Sequence, residues 1–194
     1  MIEEDHGLYD AMNKALFLST GDIIGFLHAD DIFANNSVLT DVCDVFKNNQ
    51  ATHAVYGDLF YVKNHNINHI VRSWRSCSFN EVLLKRGWMP PHPTLYLRKE
   101  WVFKVNGFNL DYKISSDYDF ILKLFKYSNF TSLHIPKVLV KMRVGGASNK
   151  SLKNILKKSF EDFHILRNNG YDIKSSIIAL LLKNLTKLNQ FYNK

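Results

Sequence analysis

The run Ile23-Ile24-Gly25-Phe26-Leu27, closed by His28-Ala29-Asp30-Asp31, constrains this chain more than any other stretch. It is too short for a helix and is bounded by Thr20-Gly21-Asp22. Such a run fits a strand covered on both faces, as in a parallel sheet. Two carboxylates at the carboxyl end of a buried strand stand where open α/β sheets bind ligands. The rest of the pattern keeps to that class. Leu8, Ala11, Met12, Ala15, Leu16 and Leu18 recur at roughly helical spacing, and Gly21 suits a helix end. Val38, Leu39, Val42, Val45 and Phe46 predict an amphipathic helix capped by Ser37. Residues 54–58 read as a second strand with Asp58 at its end, and 59–62 with 67–74 as a hairpin. Residues 134–144 read as a strand broken by Pro136. Met89-Pro90-Pro91-His92-Pro93 excludes regular helix, because each proline fixes φ and removes a donor. A helix over 116–127 opens with Asp117 and Asp119, and Gly145-Gly146 starts a flexible loop. Two basic amphipathic helices, 151–168 and 174–190, close the chain.

The 194 residues, 46% of them hydrophobic, suffice for a globular domain with its own core. We divide them into a domain over 1–150 and the basic helices over 151–194. Charge supports the division. Residues 150–194 hold nine Lys/Arg and three acids, a net +6, which leaves +1 of the total +7 for everything before them. Such a tail attracts phosphates, nucleic acid or an anionic membrane, and it equally suits a solvated helical face. Cys43 and Cys77 have no metal-ligand spacing, as expected of free thiols in a reducing compartment. The opening Met-Ile-Glu-Glu-Asp-His is unlike a secretion signal, and no apolar run approaches the ~18–20 residues of a membrane span. The expected location is cytoplasmic.

Taken singly, the candidate site residues are ordinary. Adjacent acids such as Asp30 and Asp31 often cap a following helix. Asp117 sits where the helix dipole favours any carboxylate. Asp117 and Asp119, two apart on a helix, face different ways, so at most one addresses a site. His92, held between Pro91 and Pro93, has an unusually fixed position.

Order gives these pieces force. Asp5-His6-Gly7-Leu8-Tyr9-Asp10-Ala11-Met12-Asn13-Lys14-Ala15 precedes the run from Thr20 to Asp31. His92-Pro93-Thr94, Gly107-Phe108-Asn109, Ser116-Asp117-Tyr118-Asp119 and Met142-Arg143-Val144-Gly145-Gly146-Ala147-Ser148 follow. With these motifs, residues 5–165 resemble the family 2 glycosyltransferases of GT-A type, notably those of bacterial surface-polysaccharide clusters.

The resemblance implies an α/β chain with a partial GT-A fold, a mixed sheet flanked by helices, and basic helices at the C-terminus. It implies an inverting glycosyltransferase that moves a sugar from a nucleotide-diphospho-sugar to a hydroxyl of a sugar or lipid-linked acceptor. The implied cofactor is a divalent metal, Mn²⁺ or Mg²⁺. Asp117 maps onto the base, and Asp30 and Asp31 onto the metal ligands. His28 stands where the family has its leading acid, so Asp30 ranks first and Asp31 supports it. Asp10, Asn13, Lys14, Asp31, His92 and Arg143 map onto the donor and substrate contacts. The Gln-x-x-Arg-Trp of polymerising relatives is absent, which favours transfer of single sugars. The family's opening strand and Asp-Gly-Ser-Thr-Asp-Gly-like loop are also absent. The expectation is a chain lacking the N-terminal nucleotide-binding part, weakly active or inactive alone. The competing reading is a non-catalytic remnant or binding module. The basic tail fits peripheral contact with the inner face of a membrane, and no motif for nucleic acid accompanies it.

Overall fold

The computed structural model describes residues 4–144 and 152–192. Helix α1 spans Leu8–Leu18, followed by β1 (Ile23–Gly25), β2 (Ile32–Phe33), α2 (Val38–Asn48), β3 (Ala54–Lys63) and β4 (Asn66–Trp74). Next come α3 (Glu81–Leu84), a 3-10 turn at His92–Thr94, β5 (Tyr96–Arg98), α4 (Lys99–Lys104) and α5 (Ser116–Lys126). The long strand β6 (Ser132–Arg143) leads to α6 (Leu152–Asn168) and α7 (Ile173–Tyr192). Gly145-Gly146, read as a loop, lies outside the described residues.

One mixed sheet organises the chain. Its strands lie in the order β1-β5-β3-β6-β2, with β4 added on β3. Among the described residues only β3 and β6 run parallel, and every other pair is antiparallel. The sheet buries two apolar layers. Val38, Val42 and Phe46 of α2 cover one face over Val55, Leu59, Leu139 and Val140. On the other, α1, α4, α5 and α6 enclose Met12, Trp101, Phe120, Leu124 and Ile165.

Three expectations about strands need correction. The run from Ile23 to Leu27 is not a doubly covered parallel strand. Only three residues pair, antiparallel to β5 at the sheet's border, with Ile24 buried and Gly25 exposed. Asp58 does not end a strand, because β3 continues unbroken through it to Lys63. Pro136 does not break β6 either. Between Tyr56↔His134 and Asp58↔Val138 the register shifts, so Pro136, which has no N–H, falls in a bulge. Gly57 lies in the same shift. A Cβ there would meet Leu139 Cγ at 2.5 Å and the Lys137 carbonyl at 2.8 Å. Thr94 ties the proline-rich turn to this point, donating to the Gly57 or Pro91 carbonyl at 3.0 and 2.8 Å.

Candidate active site

A cavity of about 770 Å³ opens beside the ends of β3, β4 and β6, and its wall includes His28, His92, Asp117 and Arg143. Four of the predicted regions thus converge on one space. Each is held there by identifiable contacts.

Asp117 stands in the first turn of α5. Its Oδ1 accepts the Tyr118 N–H at 2.8 Å and lies 3.3 Å from the Tyr9 hydroxyl. That hydroxyl also reaches the Ile114 carbonyl at 2.8 Å. Burial first, and then the Asp117 charge, holds the Tyr9 phenol far above its ordinary range, so it remains a donor. The loop before Asp117 is fixed by Glu161 of α6. Its carboxylate accepts the N–H groups of Lys113, Ile114 and Ser115 at 2.9–3.1 Å. Asp119 is turned away from the cavity and buried, 2.6 Å from Lys123 Nζ, with Asn169 Nδ2 at 3.2 Å. The spacing argument that only one of the two faces a site therefore holds.

His92 is buried in the 3-10 turn, edge-on to Phe108 at 5.7 Å and 6.0 Å from the His28 ring. Burial draws its pKa down to about 4, and the Asp117 charge opposes the drop without cancelling it. The ring is neutral at pH 7 and offers one donor and one acceptor.

Asp30 is exposed, whereas Asp31 is buried at 7% exposure. Arg143 Nη1 donates to the Asp30 carbonyl at 2.9 Å and joins this corner to β6. Asp31 Oδ2 is buried with no hydrogen-bond partner among the described residues. Burial raises the Asp31 pKa; His28 and an Arg143 backbone N–H oppose the rise and Asp30 adds to it. A buried carboxylate oxygen without a partner is costly, and a hard cation would satisfy it. The residues present therefore fit a divalent metal, with Asp31 rather than Asp30 holding the unsatisfied oxygen. No group of three or more His, Cys, Asp or Glu side chains converges among the described residues. Any ion here would depend on ligand oxygens from elsewhere for most of its shell.

The other predicted residues lie apart from this cavity. Asp10 and Lys14 pair with each other at 3.1 Å, and Lys14 also reaches the Glu4 carbonyl. Asn13 donates to the Phe108 carbonyl at 2.8 Å and accepts the Phe108 N–H at 2.9 Å, so its amide clamps the loop after α4. Gly107 makes that clamp possible. Its φ is +61°, and a Cβ would lie 2.6 Å from Asn13 Oδ1. Phe108 in turn packs on Tyr9, Phe26, His92 and Phe120 beneath the site.

Several residues at the site were not singled out from sequence. Lys158, Lys183 and Lys187 of the C-terminal helices line the cavity. Arg72 of β4 lines it too, with its guanidinium on Gln190 Oε1. Asp58, in mid-strand, pairs with His134 Nε2 at 3.0 Å and accepts the Ser76 N–H at 2.8 Å, which fixes the segment leaving β4 beside the cavity. Nothing in local spacing signals these contacts, since each joins residues far apart in the chain.

The model of the family described as "Glycosyl transferase family 2" matches residues 2–127. A PGL/p-HBAD biosynthesis glycosyltransferase of Mycobacterium bovis is 28% identical over 163 residues, covering 80% of this chain and 59% of that protein. A Mycobacterium tuberculosis protein of the same description matches equally. Among solved structures, residues 1–349 of S. aureus TarS in complex with UDP-GlcNAc align with a TM-score of 0.61 at 14% identity. That alignment covers 100% of this chain and 56% of the other. The mannosyltransferase PcManGT of Pyrobaculum calidifontis, in complex with GDP-Man and Mn²⁺, gives 0.58 at 16%, with coverages of 97% and 53%. These likenesses show the GT-A glycosyltransferase fold, and the chain spans little more than half the length of the proteins it matches.

Proposed function

Because this chain belongs to glycosyl transferase family 2, we propose that its cavity carries out inverting transfer of a sugar from a nucleotide-diphospho-sugar to an acceptor hydroxyl. The observation that carries this reading is a division of labour between two carboxylates. Asp117 borders the open cavity, and at the adjoining corner Asp31 presents a buried oxygen with no partner among the described residues. In the reading, the Asp117 carboxylate takes the acceptor hydroxyl's proton. The freed oxygen attacks the anomeric carbon from the face opposite the diphosphate. The carbon–oxygen bond to the diphosphate breaks, and its electron pair leaves with the diphosphate. A divalent Mn²⁺ or Mg²⁺ held by Asp31 and Asp30 would offset the charge on that leaving group. Arg143, anchored on the Asp30 carbonyl, holds this corner in place. His92 supplies a neutral hydrogen-bonding edge.

The test separates the two carboxylates. Asp117→Asn is expected to keep Mn²⁺-dependent binding of a nucleotide sugar, measured by calorimetry, and to lose at least about 10²-fold in transfer rate. Asp31→Ala is expected to lose the metal-dependent binding itself. Normal turnover by Asp117→Asn would remove the base assignment. Failure of folded wild-type chain to bind any of a panel of nucleotide sugars with Mn²⁺ would favour a non-catalytic binding module.

The same reading gives the outer face of the tail a use. Ile177, Leu181, Leu185 and Leu188 of α7 are exposed, as are Leu156 and Phe160 of α6, with the exposed Lys153, Lys157 and Lys174 on the same helices. An apolar face among cations fits an anionic lipid surface, the inner face of a membrane in a cytoplasmic protein. No helix among the described residues is long and apolar enough to cross a membrane. Co-sedimentation with vesicles should rise with anionic lipid content, and indifference to lipid charge would sink this part.

A further inference from the structure

A carboxylate base works best when one oxygen is held and the other is aimed at the proton it takes. Asp117 has that arrangement. It is half-buried on the cavity wall, and its two described side-chain hydrogen bonds both fall on Oδ1. Among the described residues no hydrogen bond or ion pair reaches Oδ2. The two contacts on Oδ1 differ in kind. The Tyr118 N–H belongs to the next residue of the same helix, and it is shared with the Ser115 carbonyl at 2.9 Å. It moves with Asp117 and cannot orient the carboxylate against the rest of the molecule. The Tyr9 hydroxyl, at 3.3 Å, comes from α1, 108 residues earlier in the chain. Among the described residues it is the one hydrogen bond to this carboxylate from another element.

Tyr9 suits that task. It is buried, its ring lies 5.6 Å from that of Phe108, and its phenol stays protonated under burial and the charges of Asp117 and Glu161. Its single proton faces two acceptors. The Ile114 carbonyl is nearer, at 2.8 Å, but neutral; Asp117 Oδ1 is farther but charged, and a charged acceptor makes the stronger bond. The nearer acceptor is itself fixed. Glu161 accepts the N–H groups of Lys113, Ile114 and Ser115, and Lys158 Nζ stands 3.4 Å from Ser115 Oγ. The residue after Glu161 seats α6 on α7, since Asp162 Oδ2 lies 2.8 Å from the buried Lys183 Nζ. The hydroxyl is therefore held between a fixed carbonyl and a carboxylate whose charge changes during a proton transfer.

We propose that Tyr9 is a positioning residue for sugar transfer: its hydroxyl holds Asp117 Oδ1, and Oδ2 is the oxygen that takes the acceptor's proton. This role rests on the transferase reading, in which Asp117 is the base. The acceptor's O–H bond breaks as the bond from its proton to Oδ2 forms. The electron pair left on the acceptor oxygen makes the new bond to the anomeric carbon, and the diphosphate departs with the pair of the old one. Once neutral, Asp117 attracts the Tyr9 proton less, and the hydroxyl turns fully to the Ile114 carbonyl. The phenol thus has an acceptor in both charge states of the base, and neither state leaves a buried donor unmet.

The test is a double-mutant cycle of Tyr9→Phe and Asp117→Ala in the full chain, read in two ways. The first readout is release of nucleoside diphosphate from UDP-glucose, GDP-mannose and dTDP-rhamnose, each with Mn²⁺ and with water as the acceptor. Tyr9→Phe keeps the ring and removes only the hydroxyl. It is expected to lower kcat about tenfold and to leave the donor KM within about twofold of wild type. In the Asp117→Ala background the same change is expected to alter the rate by less than about twofold, because the group it acts through is gone. The second readout is the urea midpoint of unfolding, which needs no activity. The loss in the double variant is expected to fall short of the sum of the two single losses. An equal fold-loss of rate in both backgrounds overturns the role, since a merely structural effect would act without Asp117. A raised KM with unchanged kcat overturns it as well, as do unfolding losses that simply add. If folded wild type releases diphosphate from none of the donors, the transferase reading falls and takes the role with it, and the unfolding cycle then reports on the contact alone. If wild type turns over and either cycle is additive, the positioning role alone falls.

Discussion

Helices α1 and α7 spend their polar side chains in opposite directions. On α1, Tyr9, Met12 and Leu16 face the core, and the polar groups serve neighbouring backbone. Asn13 clamps the Phe108 loop, and Lys14 ties Asp10 to the segment before the helix. On α7 the arrangement is inverted. Apart from Ala179 and Leu180, which pack on the core, the inward face carries Ser176, Lys183, Lys187 and Gln190, while Ile177, Leu181, Leu185 and Leu188 point to solvent. A helix that packs on a core turns its apolar stripe inward. One that lines a polar cavity need not, and its outer face is then left for another surface. The lesson is that α1 supports the site from below, whereas α6 and α7 are part of its wall.

Substitutions can break or sharpen that contrast. The largest expected effect is on the α6 side. Glu161→Ala removes the buried carboxylate that accepts the Lys113, Ile114 and Ser115 N–H groups, at a cost of about 3 kcal/mol in urea unfolding. It should also loosen Asp117, so transfer should fall even at temperatures where the chain stays folded. If stability were unchanged, the C-terminal helices would be an appendage and not a wall.

Next in size is a pH effect on the α1 side, through the aromatic cluster that Asn13 holds. His92 is neutral in the fold, with its pKa lowered to about 4 from the model-compound 6.5. Between those values the unfolded chain binds the proton more readily. Stability is therefore full above pH 6.5 and declines as pH falls toward 4, by about 3 kcal/mol at most. Unfolding at pH 7, 5 and 4 should show a steeper decline for wild type than for His92→Asn. Equal slopes would mean that the ring is not buried neutral.

Asn13→Ala should cost about 2 kcal/mol, because it leaves the Phe108 N–H and carbonyl unmet. It should leave metal-dependent donor binding intact wherever the chain is folded. Loss of that binding without loss of stability would return Asn13 to the donor site and erase the contrast with α7. The smallest effect is expected at the half-buried Asp10–Lys14 pair at the surface, where Asp10→Ala should shift the melting temperature by no more than a few degrees.

Local pattern made much of this legible. The helices over 38–48 and 116–126 and the proline-rich turn follow from periodicity and dihedral limits, although Ser37 makes no side-chain capping bond to the first of them. Asp117 stands out in the sequence because a helix start and a motif coincide there, and the structure places it on the cavity wall. Pairing geometry was not. The apolar run at Ile23 has the composition of a central strand, yet its place in the sheet depends on which strands pair with it. Asp58 looks like a strand end because acids are rare in buried strands, but His134, 76 residues away, supplies the partner that lets β3 continue. Glu161 and the tail lysines read as solvated charge until α6 and α7 are laid against α5 and β4. Those contacts span from 43 residues, for Lys158 and Ser115, to 118, for Arg72 and Gln190, beyond the reach of any window.

The buried pair of Asp162 and Lys183 has a consequence beyond its energy. An α-helix advances about 100° per residue, so a one-residue rotation of α7 would bring leucines to the cavity and lysines to the outside. Either azimuth could satisfy a helix of this composition in bulk. The ion pair, together with Gln190 on Arg72 and Ala179 in the core, holds the helix at one of these angles. Exchanging both partners for apolar residues could leave the melting temperature untouched and still let the helix turn, replacing a basic wall with a greasy one. In this chain stability and aim are separate properties, and the pair governs aim.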